Sequence, residues 1–585
     1  MSNIEKSHRV SNICIADHQG ISSQIRVSLM RTQPKEIKYR EMSERNWALF
    51  SAAVSGLKIR GDNVNEKWSH LCTDIKTIVS KCFPEKISKH KYKFSMSQGL
   101  LKSRNKKNKL LRKYKRGEIQ KEEYIRYNKI YRKLIVIEQE KNFHDKIIAS
   151  ESNSRKKWKI LKSELKLNSN EDTITYIKVN NEEITNTQRI AEEMKNHFET
   201  CATKLANEVP DSGICDVLTE QQPEWGFNLI TQCDLIKVID SLLPKNSCGF
   251  DGLSNRMLKK EKRKISALIV NLVNETLVQG TFPDVLKVAK VIPIFKKGEK
   301  FNLNNYRPIS LLPVLSKVLE KVINKQISAK LDALNVIDDD QYGFRPNHST
   351  EDAVIKFIDY IEKAKTKYKF VTSIHIDVSK AFDSCNHDIM ELKLKRIGMN
   401  ETSLNLMKSY LKNRVQDVWV NDNRGGSFSI NIGVGQGTVL GPTLFKIYIM
   451  DMYLSTSLFS LRFADDSNLV GVGNNRDLTE IYINKELEKL YNWFCKNKLS
   501  LHPDKSRYII YTRDKLITLK LGGKNLMRCG YGLQEEGVKF LGVLIDENLD
   551  WKLQCKSVKK KIGKGNYLLW RYKNKLTIPM KKNNI

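Results

Sequence analysis

The chain has 585 residues, 40% apolar and 29% charged, so its length suggests about four domains and its composition excludes a fully disordered chain. Its 101 Lys and Arg residues against 66 Asp and Glu leave a net charge of +35, which indicates a polyanionic partner, most simply nucleic acid. No apolar run reaches the ~18 residues of a membrane span, and 11 Cys residues without a C-x-x-C spacing favour reduced thiols in the nucleus or cytoplasm.

Most of the positive charge lies in two segments of the chain. Residues 81–170 carry a net charge of +18 and residues 551–585 one of +11, whereas the chain between them is nearly neutral and holds the densest apolar patterns. We therefore expect a nearly neutral core with a basic arm on either side of it.

The first basic arm predicts a pair of helices that is interrupted at Gly117. Tyr124, Tyr127 and Tyr131 recur on one helical face, which Leu134 and Ile135 extend. We interpret this tyrosine face as packing on the protein core. The Lys/Arg face is expected to contact phosphates, because unbalanced charge at this density repels itself without a counter-anion.

Asp377 ends a predicted strand. The β-branched run 371–376 precedes it, and a helical pattern over 386–398 follows. Asp at the end of a strand and before a helix is a common ligand position in α/β sites. Asp377 could equally cap the helix that follows.

A Gly-rich stretch follows at residues 433–437. Its three Gly residues let the backbone approach a ligand closely, and Gln436 offers both a donor and an acceptor. Gly441 and Pro442 then open an apolar helix predicted over residues 443–454. Standing alone, the stretch could also be a plain turn.

The sequence Phe463-Ala464-Asp465-Asp466 lies between two short apolar runs, the pattern of a β-hairpin with both carboxylates at its turn. Adjacent Asp residues repel each other and are costly to bury, so a bound cation is the natural explanation. The acidic triplet at 338–340 lacks strands on both sides, and we interpret it as a solvated loop.

Asp377, Asp465 and Asp466 together supply three hard oxygen donors from two strands. This set suits Mg²⁺, with Mn²⁺ as a substitute, since Mg²⁺ takes few carboxylates and keeps positions for phosphate and water. Two such ions about 4 Å apart would clamp an in-line displacement at phosphorus.

The order of these elements resembles the palm motifs of reverse transcriptases, and more narrowly those of the LINE or jockey-type enzymes of non-LTR retrotransposons. The motifs are Asp-x4-Phe-Asp from Asp377, Gly-x-Gly-Gln-Gly at 433–437, Phe-Ala-Asp-Asp at 463–466 and Lys505-Ser506. The stretches that agree with the narrower family are 245–253, 291–298, 305–312, 341–346 and 540–543, with Trp551 beyond them. The resemblance covers about residues 225–560.

The resemblance implies an α+β right-hand polymerase. Fingers and palm would span residues 226–510, after a basic helical extension at 31–225. A primer-grip hairpin and a partial thumb would occupy 511–585, and residues 1–30 would be a remnant of the C-terminal end of an endonuclease domain.

The resemblance also implies roles for residues at matching positions. Asp377 and Asp465, with Asp466 nearby, would hold two Mg²⁺ ions. Phe382 would be the steric gate, an aromatic ring under the sugar that leaves no room for a 2′-hydroxyl. Gln436 would contact the incoming nucleotide.

Three basic residues complete the implied site. Arg307 and Arg345 would hold the triphosphate as forked donors, although either could be a structural ion pair. Lys505 would lie near the leaving pyrophosphate and could donate a proton, an effect of typically ~10²–10⁴-fold.

The implied function is RNA-directed DNA synthesis, with template RNA, a DNA primer or target and deoxynucleoside triphosphates as partners, and with target-primed synthesis as its setting. The alternative is a catalytically dead, truncated copy that acts at most as a non-catalytic RNA- or DNA-binding protein. A group II intron type enzyme is disfavoured, because the 75 residues after Ile510 leave little room for a splicing-associated domain.

Both ends of the chain are expected to be truncated relative to this family. Residues 15–18 resemble the closing Ser-Asp-His of an apurinic-type endonuclease, with Asp17 orienting the base His18, and the motifs that precede it in the family are missing. We expect no nuclease activity, and weak processivity from the partial thumb.

Overall fold

The computed structural model describes residues 4–15, 18–27, 36–89, 96–150, 157–158, 160, 173–210, 213, 216–512 and 517–571. These residues mix helices with sheets, as predicted, and form two compact units. One unit falls within residues 1–46 and 83–160, and the other within residues 47–82 and 161–585. Asp17 of the predicted endonuclease remnant and residues 572–585 of the second basic arm lie outside the described residues.

Helices and strands are numbered along the chain. The helices are α1 (Glu44–Ser55), α2 (Val64–Cys82), α3 (Gln98–Lys115), α4 (Lys121–Ile148), α5 (Thr187–Glu208), α6 (Gln232–Asp240), α7 (Asn255–Lys260), α8 (Lys262–Gln279), α9 (Val314–Ala333), α10 (Thr350–Lys367), α11 (His387–Arg396), α12 (Glu401–Leu411), α13 (Gly441–Tyr448), α14 (Arg476–Lys496) and α15 (Lys552–Arg571). The strands are β1 (Ile4–Ile15), β2 (His18–Val27), β3 (Glu36–Arg40), β4 (Glu85–Lys89), β5 (Ile177–Val179), β6 (Glu182–Ile184), β7 (Val288–Phe295), β8 (Tyr306–Leu311), β9 (Phe370–Ile376), β10 (Arg414–Val420), β11 (Asn423–Ile430), β12 (Phe459–Phe463), β13 (Asp466–Gly473), β14 (Arg507–Ile510), β15 (Lys520–Leu521), β16 (Lys524–Asn525), β17 (Met527–Cys529), β18 (Gly537–Phe540) and β19 (Val543–Asp546).

The smaller unit contains two antiparallel strand pairs, β1–β2 and β3–β4, and the helical pair α3–α4. The two helices are separated at Gly117 (φ 76°), as predicted. The tyrosine face of α4 packs, but on α3: Tyr124 stacks on Tyr114, and Lys107 lies 5.1 Å from the ring centre of Tyr131. Leu134 does not extend the packed face as predicted, because its side chain is exposed.

A four-stranded sheet with the order β11-β10-β7-β8 forms one part of the larger unit. Strand β10 runs parallel to β7 and antiparallel to β11, and β8 runs antiparallel to β7. Helix α5 covers this sheet through a buried apolar cluster in which Ile190, Met194 and Phe198 meet Val418 and Phe428. The sheet therefore gains a helical cover from a chain segment that precedes all four of its strands.

A five-stranded sheet with the order β12-β13-β9-β14-β17 forms another part. The central strand β9 is antiparallel to both β13 and β14. The buried Phe357 and Ile361 of α10 pack in one apolar cluster with Val371 and Leu461 of this sheet. Because β9 and the β12–β13 hairpin share this support, the end of β9 and the turn of the hairpin are held at one edge of the sheet.

The last part of the described chain holds the β18–β19 hairpin and α15. Phe540 pairs with Val543 across a turn in which Leu541 (φ 46°) and Gly542 (φ 95°) are left-handed, as expected for a hairpin at 540–543. Phe540 packs on Phe357, which ties the hairpin to the five-stranded sheet. No helix among the described residues has the length and apolarity to cross a membrane.

Candidate active site

The β12–β13 hairpin carries the acidic pair at its turn, as predicted. Phe463 pairs with Asp466, and Ala464 and Asp465 form the two-residue connection. Ala464 has a φ of 60°, a left-handed conformation that residues with a side chain adopt rarely and that often marks functional turns. Asp465 is therefore presented at the tip of the hairpin, and Asp466 is the first residue of its second strand.

The register of the sheet brings Asp377 to the same place. Ile376 lies opposite Ser467 on β13, so the next residue along β9, Asp377, falls opposite Asp466 on strands about 4.8 Å apart. The Asp377 N–H donates to the Ser506 hydroxyl at 3.1 Å. Asp377 is not a helix cap, because the Asn386 side chain accepts the first free N–H groups of α11.

The three carboxylates interact electrostatically. Burial, together with the charges of Asp465 and Asp377, raises the pKa of Asp466 to about 6, although part of the side chain faces solvent. Burial lowers the pKa of Lys296, the residue after β7, whereas Asp377 and Asp465 act to raise it, so its ammonium group faces the same acidic site. The site thus concentrates negative charge, and Lys296 is the lysine that lowers the pKa of Asp466.

The donor set fits a divalent cation. Three carboxylates supply hard oxygen ligands, and a divalent charge would relieve the repulsion that raises the pKa of Asp466. Among the described residues, no group of three or more His, Cys, Asp or Glu side chains is already gathered around one point as a metal site.

Phe382 lies five residues after Asp377, in a short 3-10 turn over 381–383. Its ring stacks on that of Phe445, with centroids 4.8 Å apart and planes at 23°. Phe344 forms an edge-to-face pair with it, with centroids 6.1 Å apart and planes at 85°. The Phe382 carbonyl accepts from the Val434 N–H at 2.7 Å, which ties this turn to the Gly-rich stretch.

Gln436 and Asp383 form a hydrogen-bonded pair. The Gln436 amide donates to both Asp383 oxygens, at 3.0 and 2.9 Å. Burial raises the pKa of Asp383 to about 6, and this hydrogen bond together with the charges of Lys380 and Arg307 limits the rise. The pair lines a cavity of about 230 Å³ with Lys380, Pro308 and residues of α5.

The structure separates the two predicted triphosphate-binding arginines. Arg307, on β8, lowers the pKa values of both Lys296 and Asp383 through its charge, so it lies near Lys296 and the Gln436 pair. Arg345 donates to the Asp338 carbonyl at 3.0 Å and lines a different cavity beside α9.

Lys505 has an exposed side chain on the segment that pairs with residues 377–379. The His502 N–H donates to the Asp377 carbonyl at 2.9 Å, and the Ser506 hydroxyl accepts from the Asp377 N–H. The segment is therefore anchored next to Asp377, and Lys505 projects from it into solvent.

The interpretation of the acidic triplet as a solvated loop is wrong for two of its members. Asp338 forms an ion pair with Arg462, whose side chain is buried inside the hairpin, and Asp340 pairs with Lys356 at 2.5 Å. Only Asp339 is largely exposed. The signal was present in the sequence, since an arginine within the apolar run 459–463 needs a buried counter-charge.

The sequence patterns also gave no role to Lys296, Asp383 or Ser506. Asp383 belongs to the Asp-x4-Phe-Asp motif and Lys296 follows a strand, so both positions were visible, but a side chain's direction depends on neighbours that are distant in sequence. Ser506 is fully buried and supports the backbone of Asp377.

Comparison with known proteins finds related sequences. Residues 294–545 match the family "Reverse transcriptase (RNA-dependent DNA polymerase)". The chain is 27% identical over 373 residues to the RNA-directed DNA polymerase from mobile element jockey of Drosophila funebris, covering 60% of this chain and 39% of that protein. It is 26% identical over 399 residues to the probable RNA-directed DNA polymerase from transposon BS of Drosophila melanogaster, covering 66% of this chain and 43% of that protein.

A Pol polyprotein from the type-1 retrotransposable element R1 of Bradysia coprophila is also similar, at 26% identity over 317 residues, covering 53% of this chain and 30% of that protein. The chain thus spans about two fifths or less of the length of these relatives. The predicted resemblance to non-LTR retrotransposon enzymes is confirmed.

Proposed function

Because this chain carries a reverse transcriptase domain and is homologous to the RNA-directed DNA polymerases of jockey and other non-LTR retrotransposons, we propose that it copies RNA into DNA by Mg²⁺-dependent, two-metal nucleotidyl transfer, primed at a DNA target. The observation that carries this proposal is the placement of Asp377, Asp465 and Asp466 at one edge of the five-stranded sheet. In this proposal that sheet is the palm, the four-stranded sheet belongs to the fingers and α15 begins the thumb.

The proposed reaction is attack of a primer 3′-hydroxyl on the α-phosphate of a deoxynucleoside triphosphate, with pyrophosphate as leaving group. Mg²⁺, or Mn²⁺ in its place, would be held by Asp377, Asp465 and Asp466 and would stabilise charge on the attacking and leaving oxygens. Phe382 excludes a 2′-hydroxyl beneath the sugar, and Gln436 contacts the nucleotide.

Basic residues would bind the triphosphate and assist the leaving group. Lys296 is influenced by Asp377 and Asp465, and Arg307 acts on Lys296, so we assign the phosphates to these two residues. Lys505, on the segment anchored beside Asp377, would donate a proton to the leaving pyrophosphate. Arg345 donates a hydrogen bond to the Asp338 carbonyl, and this bond would have to break before Arg345 could bind the triphosphate.

The decisive experiment is Mg²⁺-dependent incorporation of deoxynucleotides on a primed RNA template by the full chain. Asp465→Ala should reduce extension at least ~100-fold, because one charge-stabilising group lost from an active site costs about that factor. Asp477→Ala, at an aspartate that is 81% exposed on α14, is the matched control and should extend like the wild type.

RNA binding and cooperative unfolding should be unchanged in Asp465→Ala. Extension that survives this substitution would refute the metal assignment. A folded wild type that binds RNA but does not extend a primer would instead favour the alternative, a non-catalytic RNA- or DNA-binding protein.

A further inference from the structure

Residues 340–344 run alongside the hairpin that carries Asp465. The Arg462 N–H donates to the Asp340 carbonyl at 2.9 Å, and the Tyr342 N–H donates to the Arg462 carbonyl at 2.8 Å. Gln341 therefore bridges to Arg462 as a short parallel addition to β12. This segment is fixed to the hairpin by backbone hydrogen bonds before it reaches the candidate gate.

Close approach continues at Gly343. A Cβ atom at this position would lie 2.0 Å from the backbone nitrogen of Ala464, so only glycine fits between the segment and the hairpin turn. The next residue, Phe344, has a φ of 59°, a conformation that is a genuine outlier for a bulky side chain. Such outliers persist where the surrounding structure over-determines them, and they cluster at functional sites.

The aromatic ring that this backbone projects meets the candidate gate. Phe344 is 45% exposed, and it forms an edge-to-face pair with Phe382, with centroids 6.1 Å apart and planes at 85°. On another side Phe382 stacks on Phe445, which is 1% exposed and belongs to the rigid helix α13. Phe382 is thus held between a buried ring and an exposed ring whose backbone is bound to the catalytic hairpin.

We propose that Phe344 is a positioning residue for sugar selection, which keeps the Phe382 ring in the orientation that excludes ribonucleoside triphosphates. The inference rests on the proposed polymerase function. A gate discriminates sterically only while its ring is fixed, and without Phe344 the Phe382 ring gains room to turn away from the sugar. Because the Phe344 backbone is attached to the hairpin, it fixes the position of the Phe382 ring relative to Asp465.

The test is the ratio of kcat/KM for deoxynucleotides to that for ribonucleotides, measured for the full chain on a primed RNA template. Phe344→Ala should lower this ratio about three- to tenfold, the factor that an edge-to-face aromatic pair is worth. Phe344→Gly should lower the ratio equally. Glycine adopts the left-handed backbone conformation freely, so this variant removes the ring without leaving a strained residue in its place. Phe344→Tyr should keep the ratio.

A double-variant cycle tests whether Phe344 acts through the gate. Phe382→Ala should lower the ratio more than Phe344→Ala does, and adding Phe344→Ala to it should change nothing further. Tyr482→Ala, at a tyrosine that is 39% exposed on α14, should match the wild type.

Two results would overturn the inference while leaving the polymerase function standing. One is an unchanged ratio in both Phe344→Ala and Phe344→Gly while Phe382→Ala changes it. The other is a further loss on adding Phe344→Ala to Phe382→Ala. Absence of extension by the wild type would overturn the proposed function and this inference with it.

Discussion

Both oxygens of the Asp383 carboxylate accept hydrogen bonds from the Gln436 amide, so the position of Gln436 depends on a group whose pKa is about 6. Burial raises the pKa of Asp383 from 3.8 to about 6, against the opposing charges of Lys380 and Arg307 and beside the buried Cys385 thiol. Because the folded pKa is the higher one, this group's contribution to stability is present below pH 3.8 and is lost as the pH rises through about 6.

Asp383→Asn removes this titration. The free energy of unfolding of the wild type minus that of the variant should therefore fall by on the order of 1–2 kcal/mol between about pH 4.5 and about pH 7.5. Urea unfolding at both pH values measures it, with Asp477→Asn as an exposed control that follows the wild type. A pH-independent difference would show that the carboxylate does not titrate in this range.

A second prediction for a single residue concerns the stability effect of replacing Gly343. Gly343→Ala places a methyl group 2.0 Å from the Ala464 nitrogen, so overpacking should lower the free energy of unfolding by about 1–3 kcal/mol. Urea unfolding measures the loss. Gly563→Ala is the matched control, because nothing lies within 4 Å of its Cβ position in α15, and it should be stabilising by roughly 0.5–1 kcal/mol.

Between elements, the contact of α11 with the end of α13 depends on one fully buried ion pair. The Lys393 ammonium lies 2.8 Å from Asp451 and faces the rings of Tyr448 and Trp493. The other Asp451 oxygen accepts from the Leu218 N–H at 3.1 Å. This pair locks several chain segments together behind the candidate site.

Lys393→Met should lower the free energy of unfolding by about 3–5 kcal/mol, because it leaves a buried carboxylate without its cation. Equilibrium unfolding in urea is the measurement. Lys363→Met removes the lysine of the exposed pair with Asp359 and should change stability by less than about 0.5 kcal/mol. Equal effects of the two substitutions would mean that the buried pair adds no more than a surface pair.

Elements whose signals are local in sequence were predictable. The hairpin at 463–466, the helical pair around Gly117 and the start of α13 at Gly441 all follow from turn or cap residues next to an apolar pattern. The apolar helix predicted over 443–454 instead ends at Tyr448 and is followed by a 3-10 turn, since Asp451 turns inward to meet Lys393. That partner is 58 residues away, so helical periodicity could not reveal it.

The candidate site shows the same division. Asp377, Asp465 and Asp466 were identified because each lies where a strand meets a turn, and the strand register brings them together. The surroundings of Arg345 and Lys296 depend on the direction in which each side chain points from its loop. That direction is set by tertiary contacts, with the Asp338 carbonyl for Arg345 and with Asp377 and Asp465 for Lys296.

For the whole molecule, the net charge of +35 does not say where the proposed nucleic-acid partner would bind. The α15 helix carries exposed lysines without a partner among the ion pairs of the described residues. Four of them recur at i, i+3, i+4 and i+8 and so share one face, namely Lys556, Lys559, Lys560 and Lys564. Counter-ion release makes the salt dependence of RNA binding report the number of phosphates that such groups contact. A local cluster should therefore contribute to the slope out of proportion to its share of the net charge.

Replacing those four lysines by Gln should reduce the slope of log Kobs against log salt by about 2–3, at roughly 0.7 per single-stranded phosphate contact. Filter binding of a single-stranded RNA between about 50 and 200 mM salt measures it. The control replaces four lysines that already pair with carboxylates, Lys195, Lys237, Lys363 and Lys365, and so removes the same formal charge. Its slope should stay near that of the wild type, since a cation with a carboxylate partner neutralises less phosphate charge. Equal slopes for the two quadruple variants would mean that overall charge, and not the α15 surface, attracts the RNA.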